Sequence, residues 1–219
     1  MIIAHTNETE YRNFVSNKRN EALQSRMIVM PVPYNLRVSD EVKIYEKLIA
    51  QSDITDVHIA PHALWTAAVF SVLTRLKDSK KQGMDLLKKL YLYDGRTVEG
   101  FKGKDVRELR AEVPDEGLFG IDPRYVINRI SSALIRQDTT CINALDVLRA
   151  IKDGLDQHAS ISKEDRERLL NFVAAARKEY DDMAKKEVQK AFVYAYEESA
   201  KTLLDNYLDH IEAYCNWQK

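Results

Sequence analysis

Residues 162–180 read SKEDRERLLNFVAAARKEY, inside a run from Leu155 to Lys219 that contains neither glycine nor proline. Ser162, followed three residues later by Asp165, is a helix-start pair whose side chains satisfy N–H groups of the first turn. Leu169, Val173, Ala176 and Tyr180 share one stripe at helical spacing; Val188, Phe192, Ala195 and Tyr196 continue it, then Leu203, Tyr207 and Ile211. The run reads as two or three helices, or one very long one, with an aromatic-rich face. Such a face packs on a core or a partner; a dedicated ligand groove is the other reading. The apolar face is still running at YCNWQK, residues 214–219, so the C-terminal end reads as cut.

Toward the N-terminus the helical signals persist. Asp122-Pro123 opens a helix carrying Val126, Ile127, Ile130 and Leu134, and another carries Ala144, Val147, Leu148, Ile151 and Leu155. Residues 94–120 hold five of the seven glycines, many charges and Pro114, and read as an irregular insertion around a short helix near Val106–Arg110. Leu86 to Tyr93 is a short apolar helix. Pro61 suits the first turn of a helix with Leu64, Ala68, Val72, Leu73 and Leu76, and Ser39 can cap one running to about Gln51.

The first 36 residues differ. Residues 1–7, MIIAHTN, begin with four apolar residues and read as a strand buried on both faces; Glu8 to Ser25 is a helix with a weak apolar face; Met27 to Met30 is a second strand, ended by Pro31 and Pro33. The fold class expected is mainly α, with a two-strand remnant of an α/β core at the N-terminus. Two parallel strands cannot stand alone, so the pattern reads as the last piece of a larger domain.

Composition excludes several function classes. The chain has 219 residues, with 33 basic against 34 acidic, a net charge of -1 that draws it neither to nucleic acid nor to an anionic membrane. Cys141 and Cys215 form no CxxC pair, so neither a disulfide framework nor a zinc knuckle is expected. No apolar run approaches ~18 residues and no signal peptide is readable, so a cytoplasmic location is expected.

A phosphate-cradling loop needs G-x-x-x-x-G-K-[ST] after a strand. The nearest stretch, GRTVEGFKGKD from Gly95 to Asp105, has Phe101 where the lysine belongs. No kinase signature set is present. His58 and His62 are separated by Pro61 and do not share a helix face, His158 and His210 are lone, and the Asp181-Asp182 pair reads as a solvated face; no metal site is expected. Two features remain. Asn7 stands past the carboxyl end of the first strand, where open α/β sheets bind ligands, or it caps the next helix. Arg124 falls in the first turn of the helix opened by Asp122-Pro123. A cation there opposes the helix dipole at a cost of roughly 0.3–1 kcal/mol. It becomes sensible before a phosphate, or it is an exposed arginine paired with Asp122 or Glu116.

Five segments together resemble one family. They are IIAHTNETEYRNFVSNKRNEALQSRMIVMPVPYNL (2–36), YDGRTVEGF (93–101), GIDPRYVINRISSALIR (120–136), INALDVLRAIKDGLDQH (142–158) and AARKEYDDMAKKEVQKAFVYAYEESAKTLLDNYLDHIEAYCN (175–216). They resemble the PrkA family, bacterial AAA+ proteins named serine protein kinases. The resemblance implies that residues 1–36 are the end of the AAA+ ATPase core, 37–158 a helical lid with the insertion at 94–120, and 159–219 the start of a helical C-terminal domain. It implies that Asn7 is the sensor-1 residue, Arg124 the sensor-2 arginine, and Arg26 the trans-acting arginine finger, with Arg19 its rival. No complete catalytic set falls in this stretch. ATP and Mg2+ are expected in an intact parent, held by the family's phosphate loop and acidic strand. The implied partners are the N-terminal core, the rest of the C-terminal domain, further copies in a homo-oligomer and a protein substrate. The alternative is a free-standing helical interaction module without nucleotide chemistry, binding a partner through the face around Phe192, Tyr196 and Leu203.

Overall fold

A computed structural model of the chain describes residues 2–52, 58–137, 141–157 and 162–217. It divides into two units, one ending at Val32 and one beginning at Pro33. The first unit holds α1 (Glu8–Ser16), a 3-10 turn over Lys18–Asn20, and α2 (Glu21–Gln24). Asn7 caps α1, its Oδ1 accepting from the Glu10 N–H at 2.8 Å, and Asn17 does the same for Arg19 N–H at 3.1 Å. Neither strand expected here forms. Residues 2–7 and 27–30 carry no ladder bonds, and Ile2 and Ile28 are more than nine-tenths exposed. The physical reason is a lack of neighbours: a strand buried on both faces exists only between paired strands and covering helices, and no described segment supplies them.

The second unit contains α3 (Val38–Ala50), β1 (His58–Ile59), α4 (Ala63–Arg75), α5 (Leu86–Tyr93), α6 (Asp105–Glu112), α7 (Pro123–Gln137), β2 (Cys141–Ile142), α8 (Ala144–Asp156) and α9 (Lys163–Trp217). The fold is mainly α. The two short strands among the described residues are not at the N-terminus but inside this unit, parallel, with His58 opposite Cys141 and Ile59 opposite Ile142. The expected lid boundary at 158, with His158, lies outside the described residues.

Helix α4 organises the unit. Up to Thr74 its sequence, ALWTAAVFSVLT, is apolar or small all round, the signature of a helix buried on every side. Ala67, Ala68, Val69, Phe70 and Val72 are fully buried, and α3, α5, α7, α8 and α9 all pack against α4. Two expected caps are different. Helix α3 begins one residue early, at Val38, and the Ser39 N–H is met by Asp94 Oδ1 from across the fold at 2.8 Å. Helix α4 begins at Ala63, so Pro61 lies in the preceding turn, and His62 takes the left-handed conformation at φ 67. The segment from Gly95 to Asp105 follows a helix and makes a turn bridged between Val98 and Phe101; it has no strand-to-helix geometry for cradling phosphate.

The glycine-free run is a single 55-residue helix, α9, started by Ser162 and Asp165 as expected, with Asp165 N–H donating to Ser162 Oγ at 3.1 Å. Its first half lays Leu169, Phe172, Val173, Ala176 and Tyr180 on the core, against α4 and α8. From Lys185 to Trp217 every described side chain is exposed. Ala176 is fully buried in this seam. Ala176→Leu therefore overpacks it and lowers the unfolding free energy by about 1–3 kcal/mol in urea melts. Ala191→Leu, on the exposed half, changes it by less than about 0.5 kcal/mol.

Candidate functional site

Among the apolar residues of α4 stands one full charge. The Arg75 side chain is entirely buried and binds an equally buried Glu41 from α3, Nη1 to Oε2 at 2.7 Å and Nη2 to Oε1 at 2.6 Å. Burying an ion pair is costly unless the geometry is good and the remaining donors are used. Here they are. Nη1 donates to the Asn35 carbonyl at 2.8 Å, and Nε and Nη2 donate to the Ile121 carbonyl at 3.2 and 2.9 Å. The Tyr34 ring covers the guanidinium at 5.0 Å. One side chain thus ties α3, the segment entering it, and the loop before α7.

That loop is fixed from its other side. Ile121 N–H donates to Thr74 Oγ1 at 2.9 Å and Gly117 N–H to the Arg75 carbonyl at 3.2 Å. Gly120 lies so close to α4 that a Cβ there would sit 2.5 Å from Arg75 Cγ, and its φ of +138 is a conformation suited to glycine. Glu116 is buried in a second network. Its Oε1 accepts from Lys89 Nζ at 2.5 Å and Lys77 N–H at 2.9 Å, and its Oε2 from the Tyr93 hydroxyl at 2.7 Å. Burial, reinforced by Glu116, pushes the Tyr93 hydroxyl far above its ordinary pKa, so it stays a donor.

The fixed loop delivers the start of α7. Asp122 caps it as expected: Oδ1 accepts from the Arg124 N–H at 2.6 Å, while Oδ2 receives the Tyr34 hydroxyl at 3.4 Å. Tyr34 therefore touches both the buried guanidinium and the cap. Arg124 is exposed and makes no ion pair with any described carboxylate. Both pairings that would have explained it away are absent, because Glu116 is committed to Lys89 and Asp122 binds Arg124 only through its backbone. The Asp122 carboxylate also occupies the front of the helix. An anion would thus be met here by the guanidinium, with one backbone N–H already taken.

The remaining candidates lie in the first unit. Asn7 acts as a helix cap, the plainer of its two readings. Arg19 and Arg26 are exposed and carry no ion pair among the described residues. No three His, Cys, Asp or Glu side chains converge among the described residues. Sequence reasoning overlooked Arg75, Glu41 and Lys89. Their signal was present as a charge within an apolar helix, in LTRL for Arg75 and LLKKLYLY for Lys89.

Comparison with known proteins adds the following. Residues 87–219 match the family profile described as the PrkA serine protein kinase C-terminal domain, and residues 1–83 match the PrkA AAA domain. The chain is 69% identical over 219 residues, all of this chain and 35% of the relative, to the "ATP-dependent protease PrkA" of Bacillus subtilis (strain 168). It is 32% identical over 218 residues, 97% of this chain and 33% of the relative, to the "Serine/threonine kinase YeaG" of Escherichia coli (strain K12). The chain thus spans about a third of the length of the curated relatives it matches. No solved structure gives a significant match. The junction of the two profiles falls within the second unit. Arg75 and Glu41 lie in the AAA match, and Ile121 and Arg124 in the C-terminal one.

An exposed cation at a helix start, with no carboxylate partner, is unfavourable to the fold. Arg124→Ala is accordingly expected to raise the stability of this chain by a few tenths to about 1 kcal/mol, read by urea unfolding. Arg75→Ala, which strands Glu41 in the core, lowers it by about 3–5 kcal/mol.

Proposed function

This chain belongs to the PrkA family, and on that premise we propose that its helical unit senses nucleotide in a PrkA ATPase and couples that state to the C-terminal part. The observation that carries the reading is Arg124: a free guanidinium on a rigidly mounted helix start, kept at the expense of local stability. Support for the coupling comes from Arg75, whose side chain belongs to the AAA match and grips the Ile121 carbonyl of the C-terminal match.

In this reading the longer protein is an ATP-dependent enzyme of the serine/threonine protein kinase type, a class that one relative's name states and another's, an ATP-dependent protease, does not. ATP supplies the phosphoryl group and Mg2+ neutralises part of its charge. Neither is held by this chain alone, whose sequence has no G-x-x-x-x-G-K-[ST] loop. Arg124 places a permanent positive charge against the phosphates, as the sensor-2 arginine. Asn7, at the end of its apolar stretch, orients the attacking group as sensor 1, its capping bond fixing the side chain. Arg26, or Arg19 in its stead, completes the site of a neighbouring copy in a homo-oligomer. The plain interaction-module reading draws on a different feature, the exposed half of α9.

The test uses a full-length PrkA protein carrying this segment. Arg124→Ala is expected to lower ATP turnover by tens-fold or more, on a scale of ~2–4 kcal/mol for one lost transition-state contact, without loss of folded protein. Arg124→Lys restores part of it, since charge is kept and the planar fork is lost. Wild-type turnover in Arg124→Ala removes the sensor role.

A further inference from the structure

The distal half of α9 carries an ordered seam. Val193, Tyr196, Ala200, Leu203, Tyr207, His210, Tyr214 and Trp217 follow one another at alternating spacings of three and four residues. That is the 3.5-residue repeat of helices that wrap around each other. Tyr196, Leu203 and Trp217 are at least seven-tenths exposed. At about 100° per residue, the centre of this seam lies roughly 170° around the helix from the stripe of Leu169, Val173, Ala176 and Tyr180. The two halves of α9 therefore present opposite faces, and the stripe expected to continue from Tyr180 through Tyr196, Leu203 and Tyr207 is not a single stripe. The buried face is used by this chain's own core, and the seam points away from α4 and α8.

We propose that the seam pairs with the same seam of a second copy, antiparallel, about a two-fold axis near residue 205. The occupant follows from side-chain sizes. A two-fold contact requires that each residue's partner be partnered by it in return. Alternating three-and-four spacing reads the same in both directions, so an antiparallel copy meets the seam in full register. Val193 then lies opposite Trp217 of the second copy, Ala200 opposite His210, Leu203 opposite Tyr207, and Tyr196 opposite Tyr214. Three of the four layers set a smaller side chain against a larger one, the arrangement that fills space between helices. A parallel pairing would stack Trp217 on Trp217 and His210 on His210 while leaving Ala200 facing Ala200.

The flanks agree. Leu204 meets Leu204 of the second copy on one side and Asn206 meets Asn206 on the other, with Glu197 beside Ile211, so no like charges face each other. The acidic residues Glu198, Asp205 and Glu212 fall on the outer side of the helix. The aromatic and aliphatic side chains of the seam and its flanks offer on the order of 700 Å² per copy, close to the ~800 Å² per partner of a stable interface.

The experiment uses the 219-residue chain. Sedimentation velocity from low to high micromolar concentration is expected to show a dimer, since interfaces of this size reach micromolar affinity or better. Leu203→Glu, at an exposed position that leaves the core untouched, gives a monomer. Leu208→Glu, an equal change just off the seam, leaves the dimer intact. With Cys141→Ser and a nitroxide on Cys215, the antiparallel arrangement places the labels about 30 Å apart along the axis, ten residues either side of the centre at ~1.5 Å each. A wild-type monomer throughout the range overturns the proposal and gives the seam to a partner of different sequence. A dimer that survives Leu203→Glu overturns the seam, and a label distance under about 20 Å overturns the antiparallel arrangement.

Discussion

A single buried guanidinium holds the helical unit in register. Arg75 enters the core with five N–H donors and finds acceptors in the Glu41 carboxylate and in the carbonyls of Asn35 and Ile121. A buried ion pair adds little net stability over a well-packed apolar pair, but it is demanding about geometry. Slippage of α3, of the entering segment or of the 117–122 loop would leave a charge or a carbonyl unmet in the core. The pair therefore acts more as a position-setting device than as an adhesive. Lys89, Glu116 and Tyr93 repeat the device on the other arm of the same loop. Two charged clusters are spent on ordering one connection, and that connection ends at Asp122 and Arg124.

The helices were legible because periodicity and punctuation agree. Leu86–Tyr93 was readable to the residue, and the absence of glycine and proline after Leu155 marked a helical run whose division into one long helix or two or three shorter ones stayed open until the structure showed one. The N-terminal strands were read from local pattern alone. MIIA and MIVM have the composition of central strands, yet a strand is completed by its neighbours, and no described segment offers a ladder. The reading failed at the level of pairing, which short-range pattern does not encode. The start of α3 was misplaced for a related reason, since its capping carboxylate comes from Asp94, 55 positions away in sequence.

The candidate site was half legible. Asp122, Pro123 and Arg124 form a local motif, and their geometry is as read, including the exposed cation. What mounts that motif was invisible, because a buried arginine and a buried lysine each announce only that a charge lies on an apolar face, without naming the partner. Glu41 and Glu116 are unremarkable in sequence and become singular only through contacts 34 and 27 positions distant. The long helix shows a further division: its first half is explained by this chain's core, while its second half presents an ordered apolar seam on the opposite side.

The central claim is that Arg75 sets the position of the loop and first turn that carry Arg124. Native-state hydrogen exchange on this chain with Arg75→Lys addresses it directly, because lysine keeps the charge but cannot reach Glu41 and two carbonyls at once. The account predicts that protection is lost first at the Ile121 and Tyr125 amides, while α8 keeps its own slow exchange. Equal loss across α4, α7 and α8, with no preference for the loop, would contradict it.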